Sequence, residues 1–111
     1  MARRVRSYSR LTEEALLLLG KQIKLARISR RRSGAELASR VGIARSTLQK
    51  IEQGDPGVEI GLAFEAAILA GLPLFEHEAS TLAPKIERME DKLALLPKSA
   101  RRHRKEVKDD F

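Results

Sequence analysis

SGAELASRVGIARSTLQKIEQGD, residues 33–55, is the stretch whose reading decides the fold. Ser33 followed by Glu36 is a capping box, which predicts a helix over about Gly34 to Val41. Ala35 and Leu37 to Val41 supply its apolar side, and Gly42 ends it where a left-handed residue is cheapest. A second helix is predicted over about Ala44 to Gln53, with Gly54 as its stop. At about 100° per residue, Ala44, Leu48 and Ile51 fall on one side of it. Arg45, Ser46, Gln49, Lys50 and Gln53 fall opposite, with Thr47 and Glu52 on the flanks. No acid stands on the outward face.

Two short helices joined by so short a turn can cross steeply and approach closely. Ala38 is small where the crossing is tight, Gly42 turns the chain, and Ile43, Leu48 and Ile51 lock the pair to a core. That combination is the pattern of a helix-turn-helix, whose second helix enters the DNA major groove. Arg, Ser, Gln and Lys on its free face suit base edges and phosphates, Arg pairing well with guanine and Gln with adenine. A plain helical hairpin is the alternative reading.

Working outward, residues 1–10 (MARRVRSYSR) have no apolar period and read as a flexible basic arm. Thr12 offers a hydroxyl cap for a helix over about Glu13 to Ser29, with Glu13 and Glu14 in its first turn. Leu16, Leu19, Ile23 and Ala26 form its core stripe. Leu11, Leu18 and Leu25 form a second stripe on another face, which calls for a further contact such as a partner chain. After residue 55, Asp55-Pro56-Gly57 is a tight turn. A helix over about Ile60 to Ala70 should bury most of Leu62, Phe64, Ile68 and Leu69, and Gly71 ends it. A short fifth helix follows from Pro73 through Phe75.

A further C-terminal helix is predicted over about Leu82 to Leu96, with Pro84 in its first turn. Leu82, Ile86, Met89, Leu93 and Leu96 alternate steps of four and three, the seam of a coiled-coil pair. The seam serves a dimer or partner contact, or packs on the domain's own core. The tail, 98–111, is too charged to fold alone and is expected to be disordered. The organisation is thus an arm (1–10), an all-α helix-turn-helix domain (11–80), an added helix (81–97) and a tail (98–111).

The chain of 111 residues carries a net charge of +7 with a pI near 10.2. Residues 1–40 hold 11 Lys and Arg against 3 Asp and Glu, residues 41–80 hold 2 against 6, and residues 81–111 hold 9 against 6. Basic ends around an acidic middle suit a polyanion partner, with plain solubility as the alternative. The chain has no Cys, which excludes disulfides and thiolate metal sites and fits a cytoplasmic setting. Its longest apolar run near the start, Ala15 to Leu19, is too short to span a membrane, and no secretory signal is expected. His77 lies between Glu76 and Glu78, but adjacent residues on a helix do not converge on one ion. His103 sits in the charged tail, where Phe111 could anchor in a partner's pocket or be inert. No metal, no cofactor and no catalytic set is expected, so the chain is not read as an enzyme.

SGAELASRVGIARSTLQKIEQGD resembles the helix-turn-helix of the lambda-repressor-like (Xre) superfamily, over about residues 20–76 and without gaps. The flanks YSRLTEEALLLLGKQIKLAR, GDPGVEIGLAFEAAILAGLPLF and LLPKSARRHRKEVKDDF are similar to HipB-type antitoxins, partners of HipA-type Ser/Thr kinase toxins. The resemblance implies a five-helix repressor core dimerising on an inverted-repeat DNA operator at the nucleoid. It makes Arg45, Ser46 and Gln49 base-reading candidates, with Thr47 and Lys50 nearer phosphates. Ser33, Gly34 and Ala35 would offer backbone N–H groups to a phosphate. Arg27 and Glu52 match a buried ion pair of structural role. Gly34, Ala44, Asp55 and Glu59 depart from the usual pattern, so phosphate affinity must come from Arg3, Arg4, Arg6, Arg30, Arg31, Arg32 and Arg40. An Arg-rich arm can enter a minor groove, or can be merely solvated. The rival readings are a free-standing Xre-type repressor and a protein-interaction adaptor.

Overall fold

The computed structural model describes residues 6–76 and 80–98. They form α1 (Arg10–Ser29), α2 (Gly34–Val41), α3 (Arg45–Glu52), α4 (Ile60–Ala70), a 3₁₀ turn (Leu74–Glu76) and α5 (Ala83–Ala94). No strand occurs among the described residues, and the fold is all-α. The chain divides into two compact units, residues 1–78 and 79–111.

In the first unit, α2 packs on α3 and α4 while α1 packs on α3 and α4. Ile23, Leu37, Leu48 and Ile51 fill the centre with Ala38, Ala66, Ala67 and Ala70. The three alanines correct the expectation for α4. Ile68 stands 54% exposed, and Leu62, Phe64 and Leu69 are only half-buried. Small side chains let α4 approach its neighbours closely, and the bulky ones are turned to its rim. The expected short fifth helix is a single 3₁₀ turn, in which Phe75 takes a left-handed φ of 55° and meets Phe64 edge-on.

Helix boundaries follow local chemistry. The start of α1 is corrected from Glu13 to Arg10, because the Ser9 hydroxyl, not Thr12, accepts the Thr12 N–H at 3.3 Å. The arm therefore ends before Arg10. At α2 the capping box closes: Ser33 Oγ accepts the Glu36 N–H at 3.0 Å, and Glu36 Oε1 accepts the Ser33 N–H at 2.8 Å. α1 ends with Arg32 N–H donating to the Arg27 carbonyl and Arg31 N–H to that of Ile28. This wrap puts Arg31 at a left-handed φ of 58°, where glycine is the usual choice.

Two glycines hold α1 against the end of α3. A Cβ on Gly20 would lie 2.5 Å from the Ile51 and Glu52 carbonyl oxygens, and one on Gly54 would lie 2.8 Å from Leu17 backbone atoms. Beside this crossing Arg27 and Glu52 form a two-pronged ion pair, Nε to Oε2 at 2.9 Å and Nη2 to Oε1 at 3.1 Å. Their side chains are 11% and 8% exposed, and Arg27 Nη1 also donates to the Arg32 carbonyl at 3.1 Å.

In the second unit, α5 is shorter than the predicted helix. Leu82 is its half-buried N-cap and Leu96 lies beyond its C-terminus. Of the five seam residues, Ile86, Met89 and Leu93 are on the helix, and all three are more than half exposed. The tail from residue 99 onward, with His103 and Phe111, lies outside the described residues, as do Arg3, Arg4 and His77.

Candidate nucleic-acid interface

The turn between α2 and α3 sets the site. Gly42 adopts φ 85°, and both its N–H and that of Ile43 donate to the Ala38 carbonyl, at 2.9 and 3.0 Å. A Cβ at Gly42 would meet nothing within 4 Å, so the residue supplies backbone conformation, not space. α3 then buries Leu48 and Ile51 and leaves Arg45, Ser46, Gln49, Lys50 and Gln53 exposed. Thr47 is half-buried. Ala44, as N-cap, gives no side-chain hydrogen bond. The exposed row is polar and basic along the whole helix.

The two edges of α3 differ in charge. On the α1 side, a groove is lined by Lys21, Lys24, Gln49, Gln53, Leu17 and Glu52. The Glu52 charge is already met by Arg27, so this edge is basic. Sequence reading missed Lys21 and Lys24, because only packing brings α1 beside residues some 25 positions later. On the other edge, Thr47 and Lys50 share a depression with Asp55 and Glu59. Asp55 Oδ1 accepts the Gly57 N–H at 2.7 Å, which explains an acid here as a turn former.

The expected phosphate ligands separate. At the start of α2, Ser33 already gives its N–H to Glu36, leaving Gly34 and Ala35 as the helix-terminal amides. Gly34 is buried, and a Cβ there would sit 3.0 Å from Arg45 Nε, so the Arg45 side chain lies across it. Arg32 and Arg40 flank a groove of about 400 Å³ with Ala35, Glu36 and Ser39. Arg32 is partly committed elsewhere: its Nη1 donates to the Leu69 carbonyl at 2.8 Å. The Arg30 guanidinium occupies the space a Cβ on Gly71 would need. Both cations thus stand at the negative end of the α4 dipole and carry a structural role that charge counting did not show. Arg6, Arg31 and Arg40 are exposed.

Among the described residues no group of His, Asp or Glu gathers as a metal site, and no helix is long and apolar enough to cross a membrane. Residues 23–76, just under half of the chain, match the model of a helix-turn-helix family. That model describes a DNA-binding regulatory domain, and the match supports the Xre-type resemblance at that level. No curated protein and no solved structure matches the chain significantly.

Proposed function

From the helix-turn-helix domain at residues 23–76, we propose that the chain is a transcriptional autorepressor that binds an inverted-repeat operator as a homodimer. Arg45, Ser46 and Gln49 read bases, and Thr47, Lys50, Ala35 and Arg40 hold the backbone. The observation that carries this reading is the acid-free outward face of α3, turned away from the core by Gly42. Phosphate contacts fix register and base contacts give sequence preference, so the two sets separate by experiment. Arg45→Ala and Gln49→Ala are each expected to lose about 1–3 kcal/mol at the operator and to leave nonspecific binding in place. Unchanged operator affinity in both variants would sink the assignment.

The same proposal makes the chain the antitoxin of a HipA-like Ser/Thr kinase, acting in the cytoplasm at the nucleoid. The support is the likeness of its flanks, residues 8–27, 54–75 and 95–111, to HipB-type antitoxins. The exposed Ile86, Met89 and Leu93 of α5 offer one apolar surface for a protein partner. Co-purification with the product of the adjacent gene tests it. A kinase that travels with the chain supports the antitoxin role, and no kinase-like gene beside it leaves a free-standing repressor.

A further inference from the structure

α1 carries an apolar line that the DNA-facing surface does not use. Leu11, Leu18 and Leu25 recur every seven residues and are 75%, 59% and 69% exposed. Leu17 and Ile28 border the line and are exposed too. On the helical wheel the line stands opposite Gly20 and Ile23, which α1 buries in the core. A single exposed leucine is ordinary, whereas a continuous apolar row marks an interaction surface.

We infer that this line is the homodimer seam, and that two copies of α1 meet antiparallel about a twofold axis at Leu18. The inference rests on the reading of the chain as a DNA-binding homodimer. Leu18 then packs on its own counterpart, and Leu11 packs on Leu25 of the second copy. The spacing 11–18–25 is symmetric about Leu18, as a self-complementary twofold interface requires.

Charge selects the direction. Glu14 and Lys21 each follow a stripe leucine by three residues and so lie on one flank of it. Antiparallel pairing sets Glu14 of each copy against Lys21 of the other. Parallel pairing would carry the charged flank of each copy to opposite sides of the seam, so neither Glu14–Lys21 pair could form. Reading of one duplex selects the same direction. The twofold axis of an antiparallel pair is perpendicular to both helices and to the line joining them, so it carries both α3 helices to one face. The axis of a parallel pair runs along the helices and would put the two α3 on opposite faces. One helix pair of this length gives a small interface, below about 1,200 Å², which binding to two half-sites reinforces. This seam leaves the apolar face of α5 to a different partner.

Sedimentation equilibrium of the full chain without DNA tests the seam. The wild type is expected to dimerise, and Leu18→Asp to be monomeric with an unchanged circular dichroism spectrum, since Leu18 is a surface residue. Glu14→Lys and Lys21→Glu should each raise the dimer dissociation constant about tenfold or more, and the double variant should recover most of that loss. A Leu18→Asp chain that stays dimeric, or a charge swap that restores nothing, overturns the α1 seam and leaves a DNA-binding homodimer standing. Monomerisation by Leu93→Asp alone moves the seam to α5 and likewise overturns it. A wild-type chain that is monomeric at every concentration removes the homodimer reading itself.

Discussion

Both carboxylate oxygens of Glu52 are held by Arg27, and the pair is almost out of water. Removing one partner strands the other, so Glu52→Ala should cost about 3–5 kcal/mol, read from the urea midpoint. The Arg32 carbonyl still receives Arg27 Nη1 in that variant, which favours the lower end. Arg31 is the opposite case. It holds a left-handed backbone, φ 58°, that glycine would adopt without strain. Arg31→Gly relieves about 1–2 kcal/mol of strain and costs about 0.5–1 in backbone entropy. A net stabilisation of up to about 1.5 kcal/mol should follow in the same measurement. These two sites also show what a sequence discloses at this scale. The ion pair was legible through family likeness, because it joins residues 25 apart. The strain at Arg31 was not, because three consecutive arginines read as charge, not as a helix terminus.

Where a helix ends was easier to read than what it buries. Ser33 with Glu36, and the stops at Gly42, Gly54 and Gly71, are local chemistry, and the bounds of α2 and α4 follow from them. The first turn of α1 was misread because Ser9 and Thr12 both offer hydroxyls, and only the folded chain shows which one caps. Burial in α4 depends on how near α1 and α2 come, which the alanines permit, but in a helix apolar nearly all round they do not say which face meets the core. The crossing of α1 and α3 was likewise hidden: Gly20 in mid-helix looks like a weak point, yet it is the contact. Gly20→Ala gains up to about 1 kcal/mol of helix propensity but drives a methyl into two carbonyls. A net loss of about 1–3 kcal/mol is expected by thermal or urea unfolding.

Across the whole molecule, the site is a polar helix with one basic and one acidic border. A basic border on α1 predicts that Lys24 contacts phosphate. Lys24→Ala should then lower the slope of log affinity against log salt by about 0.9, with sequence preference unchanged. Arm truncation obeys the same logic. Ser9 caps α1, so deletion must stop short of it, and removal of residues 2–6 should flatten the salt slope without loss of stability. The division of basic from acidic edge was not legible in the charge pattern along the chain. That pattern placed the cations at the two ends, whereas folding brings Lys21 and Lys24 to α3 and turns Arg30 and Arg32 toward α4.

At Gly20 and Gly54 the backbones of α1 and the end of α3 approach directly, with no room for a Cβ, and the buried Arg27–Glu52 pair clamps the same crossing. The joint between seam and reading head therefore has no hinge. In a dimer built on α1, the pitch and separation of the two α3 helices are fixed by one stiff rod. An added base pair between half-sites shifts one half-site by about 3.4 Å and about a tenth of a turn, and a dimer joined through this crossing would have little room to absorb that torsion. In such a dimer, tolerance for operator spacer length would be set by α1.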